Sequence, residues 1–162
     1  MGTYAKMSVP SLVSNLIAEK EGFDFSRIVA LDAVNTLVLA NGDADIVTIP
    51  ESNSVRQDSD TKALITFTNE RVNPLPNTPS IKESYNMDTT LWAGLFAPKG
   101  TPEAALQKVT TAFINALQQP DIAEFGQSSG ARIYFLNAAD TDNRIGNESE
   151  IFQAMIDKLA QQ

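Results

Sequence analysis

Two serines flank a proline in Ser8-Val9-Pro10-Ser11, just ahead of a stretch with apolar residues at helical spacing. Pro10 fits the first turn of a helix, and Ser8 or Val9 its cap. The unsatisfied N–H groups of such a helix start, with its dipole, favour a carboxylate or a phosphate. Ser8 and Ser11 would add hydroxyl donors. A plain capping serine is the structural alternative. Asp32 follows an apolar run and precedes a second helical pattern. At a strand end it would meet an amine or a hydroxyl and repel a dicarboxylate; otherwise it is an N-cap. Pro50 and Glu51 follow a third apolar run. Glu51 there could bond a polar ligand or simply sit in a solvated turn. Ser8, Ser11, Asp32, Pro50 and Glu51 are therefore the candidate ligand-binding residues.

Other chemistry is restricted by composition. The chain of 162 residues has no cysteine and no histidine. A disulfide, a thiolate nucleophile, an imidazole base or a Ser-His-Asp triad cannot be built within it. The usual zinc ligands are absent as well. Asp140, Asp142, Glu148 and Glu150 lack the spacing and central glycine of a calcium loop, so no metal site is assigned. No cofactor motif is present, and no pair of carboxylates falls into a catalytic arrangement. The reading is non-enzymatic. Trp92, the lone tryptophan, lies on a strand-like run and reads as core.

A net charge of −8 works against nucleic acid and anionic membrane as partners. A hydrophobic share of 43% suits a folded chain. No apolar run is long enough to span a bilayer, so membrane insertion is not expected.

The elements that must carry these residues alternate. Strands are expected at 2–5, Arg27–Leu31, Asp45–Ile49, Ala63–Thr68, Leu91–Ala97 and Ala131–Leu136. Helices are expected at Pro10–Glu19, from Asp32 to Ala40, at Ile81–Ser84, at Thr101–Gln118 and from Pro120. A last helix is expected from an Asn147/Glu150 capping box. Asn41-Gly42 reads as a left-handed stop. Residues 51–60 are polar and read as a loop or short helix. Thr101–Gln118 carries an apolar stripe of Leu106, Val109, Phe113 and Leu117 with alanines between. Strands alternating with helices imply an α/β fold with a mainly parallel sheet.

One run ties several of these elements together. Leu91-Trp-Ala-Gly-Leu-Phe-Ala-Pro-Lys-Gly-Thr-Pro102 resembles a strand, turn and helix start of the tripartite tricarboxylate transporter solute receptors, the Bug or TctC-like periplasmic binding proteins. Arg71 and the Pro-rich Asn73–Glu83 are similar to that family's "LPDVPTVAE" segment. Asn41-Gly42 with Asp45 resembles its "GG-x-V-D". Pro120–Phe125 and Gly130 resemble the helix and glycine before its last strand. The resemblance covers nearly the whole chain and corresponds to the family's C-terminal half.

The resemblance implies a type II periplasmic-binding-protein-like lobe lacking most of the first lobe. Residues 1–68 would form the second-lobe α/β unit, 69–90 a Pro-rich crossover, and 91–162 a strand–helix segment completing the first lobe. It implies a small polar or carboxylated metabolite as ligand, with the loop at Ser8–Ser11 on its carboxylate. Ala30-Leu31-Asp32 replaces the family's Tyr-Lys-Gly type loop. The alternative is a receptor fold that has lost its ligand and serves as an interaction module. With part of its packing partners absent, 91–162 would expose apolar helix faces, so a homo-oligomer is expected. The resemblance implies a periplasmic location. A basic and apolar leader is not visible, so a chain of this length made as such would stay in the cytoplasm.

Overall fold

The computed structural model describes residues 1–49, 61–88 and 90–159. The first strand, β1 (Gly2–Thr3), pairs in parallel with β2 (Val29–Ala30), Gly2 opposite Val29 and Thr3 opposite Ala30. On its other side Gly2 forms a parallel bridge to Val47. The Gly2 N–H donates to Ile46 O at 2.8 Å, and the Thr48 N–H to Gly2 O at 3.1 Å. The order across the sheet is thus second, first, third. Gly2 permits this closeness, because a Cβ there would lie 3.0 Å from Leu31 Cδ1 and 3.2 Å from Val47 Cγ1.

Helix α1 (Val9–Lys20) connects β1 to β2 and buries Leu12, Val13 and Ala18. Its i, i+1 and i+6 positions form the inward stripe expected from the apolar spacing. Helix α2 (Thr36–Ala40) is shorter than expected. Its cap is Asn35, whose side chain accepts from the Leu37 N–H at 3.0 Å. Asp32 does not cap it; it is exposed in the preceding loop. Both residues are good caps in type, and the helix begins where Val34 and Val38 reach the core. Gly42 stops α2 at φ +75°, in keeping with the Asn-Gly signal.

Residues 61–88 form a second packed cluster. Thr66 bridges Ser80 in parallel, the Thr66 N–H donating to Pro79 O and the Ile81 N–H to Thr66 O. Val72, Leu75 and Ile81 are buried beneath this closure. Helix α3 (Ile81–Tyr85) starts at Ser80, whose Oγ accepts from the Glu83 N–H at 3.1 Å. Of the expected strand Ala63–Thr68, a single bridge at Thr66 forms.

The remainder is helical and open. It comprises α4 (Glu103–Leu117), α5 (Pro120–Ser129) and α6 (Ala138–Leu159). α4 contacts α5, and α6 contacts α1. Pro102 occupies the cap of α4 rather than its first turn. The last helix begins nine residues before the expected Asn147. Asn137 opens it reciprocally: its Oδ1 accepts from the Asp140 N–H at 2.9 Å and its Nδ2 donates to Asp140 Oδ2 at 2.7 Å. Asn137 and Asp140 have the same spacing as the expected pair, and the helix runs through Gly146 and Asn147 despite their poor propensity.

Leu91–Ala97 and Ala131–Leu136 are not strands. They run between helices without a ladder. Their apolar patterning is right for a strand, but a strand needs a neighbour to take its backbone hydrogen bonds, and none lies beside them among the described residues. The α/β class and the parallel pairing hold; the sheet is smaller than the sequence suggests.

Candidate functional site

A strand flanked on both sides by parallel neighbours that follow it in sequence creates a crevice. Ligands of open α/β sheets sit outside the carboxyl ends of strands at such a point. Here that crevice lies beyond Thr3 and Thr48. Thr3, Tyr4, Ser8 and Thr48 all line a broad cleft of about 2980 Å³. Small-molecule pockets are usually about 300–1,000 Å³, so a solute would fill one corner of this space.

The corner at the end of β1 is rich in hydroxyls. Ser8 is the residue before α1, but its side chain does not cap the helix. Its Oγ lies 3.3 Å from Thr3 Oγ1, which also approaches Ala5 O at 3.4 Å. The cap is thus released from its helix and turned to the strand end. Tyr4 reaches across the loop, its hydroxyl donating to Val34 O at 3.3 Å. Pro10 removes one of the first-turn N–H donors of α1, leaving those of Val9 and Ser11.

Ser11 is fully buried, and its Oγ has no hydrogen-bond partner among the described residues. The buried Thr48 Oγ1 is unpaired in the same sense. Such buried hydroxyls are costly to leave unmade, by about 1–3 kcal/mol each. Ser8 and Ser11 therefore share the helix start, but Ser8 faces the cleft and Ser11 does not line it. Asp32 is exposed and also lies off the cleft lining. Pro50 and Glu51 lie outside the described residues, as does the polar run 51–60.

Sequence reasoning passed over Thr3, Tyr4 and Thr48. The signal was modest: a threonine ending the short strand β1 and another just after the bridge residue Val47. What makes them notable is the register that sets them side by side, which the local sequence does not carry.

Two charged contacts hold the frame near this cleft. Arg71 makes a paired contact with Glu83, Nε to Oε2 at 2.9 Å and NH2 to Oε1 at 2.7 Å, and also donates to Pro76 O. The hydrogen bond from Arg71 holds the Glu83 carboxyl below its ordinary range. Tyr85 donates to Glu21 Oε1 at 2.9 Å, joining α3 to the end of α1, and this bond pushes the phenol above its ordinary value. Among the described residues, no group of three or more acidic side chains is placed to hold a metal ion.

The family model of the tripartite tricarboxylate transporter family receptors matches residues 1–161. The chain belongs to this receptor family. Two relatives agree with the assignment. A UPF0065 protein of Bordetella pertussis is 30% identical over 103 residues, which is 61% of this chain and 32% of that protein. A UPF0065 protein from the tcbD-tcbE intergenic region of a Pseudomonas species is 34% identical over 53 residues, 31% of this chain and 16% of that protein. The match thus spans about a third of the first relative and less of the second. No solved structure matches the chain significantly. The Arg71–Glu83 contact clamps the loop of Val72–Ser80 onto α3. Among the described residues no helix is long and apolar enough to cross a membrane.

Proposed function

We propose that this chain is a non-catalytic solute receptor that holds a small polar metabolite, with organic acids as the foremost class, at the strand ends beyond Thr3 and Thr48. The carrying observation is the crevice itself. β1 has parallel neighbours on both sides, and the start of α1 opens onto the cleft with the Ser8 hydroxyl turned away from capping. The Val9 N–H and the Ser8 hydroxyl would take one carboxylate of the solute, with the buried Thr3 hydroxyl behind Ser8. Membership of the receptor family supports the same reading.

Asp32 stays in this reading as a candidate in its loop, Pro50 and Glu51 as candidates from the sequence, and Ser11 only as a buried hydroxyl inside the start of α1. Asp32 would select against a second negative group near its loop. We place the crossover between two lobes at 69–90, with 1–68 and 91–162 on either side. Hydrogen bonds from Thr90 Oγ1 to Asn69 Oδ1 and from Asn69 Nδ2 to Asp88 Oδ1 support that placement, because they tie the outgoing and returning chain together. Family membership supports a periplasmic location.

The test is a thermal-shift panel of monocarboxylates, dicarboxylates and amino acids on the purified chain. A solute at a hundred times its Kd adds about 2.7 kcal/mol and raises the melting temperature measurably. Ser8→Ala is expected to weaken the responding solute several-fold. If no member of the panel shifts the melting temperature, the second reading gains: a receptor fold serving as a protein interaction module. The exposed apolar side chains of residues 91–135 favour that reading.

A further inference from the structure

We propose that Asn41-Gly42, the stop of α2, is a spontaneous modification site, and that opening of this helix end gates its conversion to aspartate and isoaspartate. Asn41 alone among the asparagines of the sequence is followed by glycine. Glycine offers a backbone nitrogen with no side chain in the way and the widest conformational freedom. Both residues are exposed, and a Cβ at Gly42 would meet nothing within 4 Å, so a cyclic intermediate has room to form. Solute binding plays no part in this chemistry.

The reaction needs only water. The Gly42 nitrogen attacks Asn41 Cγ and a C–N bond forms. The side-chain nitrogen leaves as ammonia, carrying the proton that the Gly42 nitrogen gave up. Water then opens the succinimide. Attack at Cγ breaks the Cγ–N bond and leaves aspartate on an ordinary backbone. Attack at the main-chain carbonyl breaks the original peptide bond and leaves isoaspartate, its backbone running through Cβ and Cγ. Either product carries one more negative charge than the parent.

The folded stop holds the nucleophile back. Asn41 has φ −79° and ψ −11°. With ψ near zero, the Gly42 nitrogen lies beside the Asn41 nitrogen and points away from Cβ, out of reach of Cγ. The Gly42 N–H also donates to Leu39 O at 3.0 Å, and the Asp43 N–H to Val38 O at 3.0 Å. These closures must open before attack. α2 is five residues long, and its Leu37 is 61% exposed, so its end opens at lower cost than the core.

The product does not fit the stop. A new carboxylate would face the negative end of the helix dipole, with Asp43 and Asp45 close by in sequence. Isoaspartate also lengthens the backbone, and the following residues have little slack to absorb it. Ala44 Cβ lies 3.4 Å from where a Cβ on Gly2 would stand, and Ile46 O already accepts from the Gly2 N–H at 2.8 Å. Conversion therefore strains the pairing of the third strand with β1.

The experiment is peptide mapping by mass spectrometry on the full 162-residue chain held at mildly alkaline pH, folded and in urea. Asn41 is expected to convert before any other asparagine in both samples. Conversion should be about tenfold slower in the folded chain, the ratio reporting how often the stop is open. The isoaspartyl form, separated by chromatography, should melt roughly several degrees below the parent. Asn41→Gln should abolish the early acidic species. Asn41→Asp carries the charge on an unaltered backbone and should melt closer to the parent than the isoaspartyl form does. Earlier conversion of another asparagine, a folded rate equal to or above the rate in urea, or an isoaspartyl form with the parent's melting temperature would overturn the proposal.

Discussion

Residues 1–88 and residues 90–157 obey the same local rules and reach opposite outcomes. Both contain helices with apolar stripes at helical spacing. All nine buried hydrophobic residues among those described lie between Met1 and Ile81, while no residue from 90 to 157 is buried. α1 has a sheet to lie on, and its Val13 is 0% exposed; α4 has no such layer, and its Val109 is 55% exposed. A stripe records which face a helix would bury. Whether that face is buried depends on a layer contributed from elsewhere. A helix of 15 residues is marginal in water on its own, so α4 gains most from whatever covers it.

The contrast can be broken most directly at its two cores. Ile81→Ala empties a fully buried site and is expected to cost about 2–5 kcal/mol. Urea unfolding should give the same loss at every protein concentration. Leu106→Ala on the stripe of α4 should cost less than about 0.5 kcal/mol in dilute protein, as for a surface change. Equal losses at both positions would erase the distinction between the two regions.

A smaller effect is expected where the open region is held together by polar contacts. Arg144 on α6 donates to Glu148 Oε1 at 2.7 Å, to the Tyr134 hydroxyl at 2.7 Å and to Thr90 O at 3.0 Å. Its guanidinium lies 5.4 Å from the Trp92 ring centre, and Trp92 Nε1 donates to Glu148 Oε2 at 2.7 Å. Arg144→Ala is expected to cost about 0.5–1.5 kcal/mol, since it removes hydrogen bonds from partly exposed partners that water can reach. Trp92 emission should move to the red. Arg144→Lys should recover little, because an ammonium cannot serve three directions in one plane. An unchanged spectrum would mean that the extended segments are held by something else.

The smallest effect belongs to the Arg71–Glu83 clamp, which is half exposed and so screened. Its pH dependence has a definite sign. Glu83 titrates lower in the folded chain than its ordinary 4.5. The stabilisation is therefore present above the unfolded carboxylate range and lost as pH falls through the lowered folded value. The melting temperature of the parent chain should exceed that of Glu83→Gln at neutral pH, and the two should converge in acid. A gap that persists in strong acid would show that the clamp acts through packing rather than charge.

Much of the fold was legible in the sequence because its signals are local. Pro10, Asn41-Gly42, Pro120 and Gly130 act through φ restriction and missing donors, and each helix start or stop lies within a residue of where they stand. Ser8 at the head of α1 was legible for the same reason. The misreadings share a cause. Asp32 and Asn35 are comparable caps, as are Asn147 and Asn137, and local chemistry could not rank them; packing of Val34 and the Asn137–Asp140 exchange did. The runs 91–97 and 131–136 have the right side chains for strands, but pairing is a property of two segments, and one segment cannot report it.

By itself, then, the sequence determined that cysteine and histidine chemistry is excluded, where most helices lie, the α/β class and the family. Those follow from residue types, short spacings and ordered motifs. Tertiary structure alone decided that Thr3, Ser8 and Thr48 line one cleft, that Ser11 is sealed away from it, and that the stripe of α4 lies open. Each of these depends on register and on contacts between segments tens of residues apart, where the energy resides in which surfaces meet.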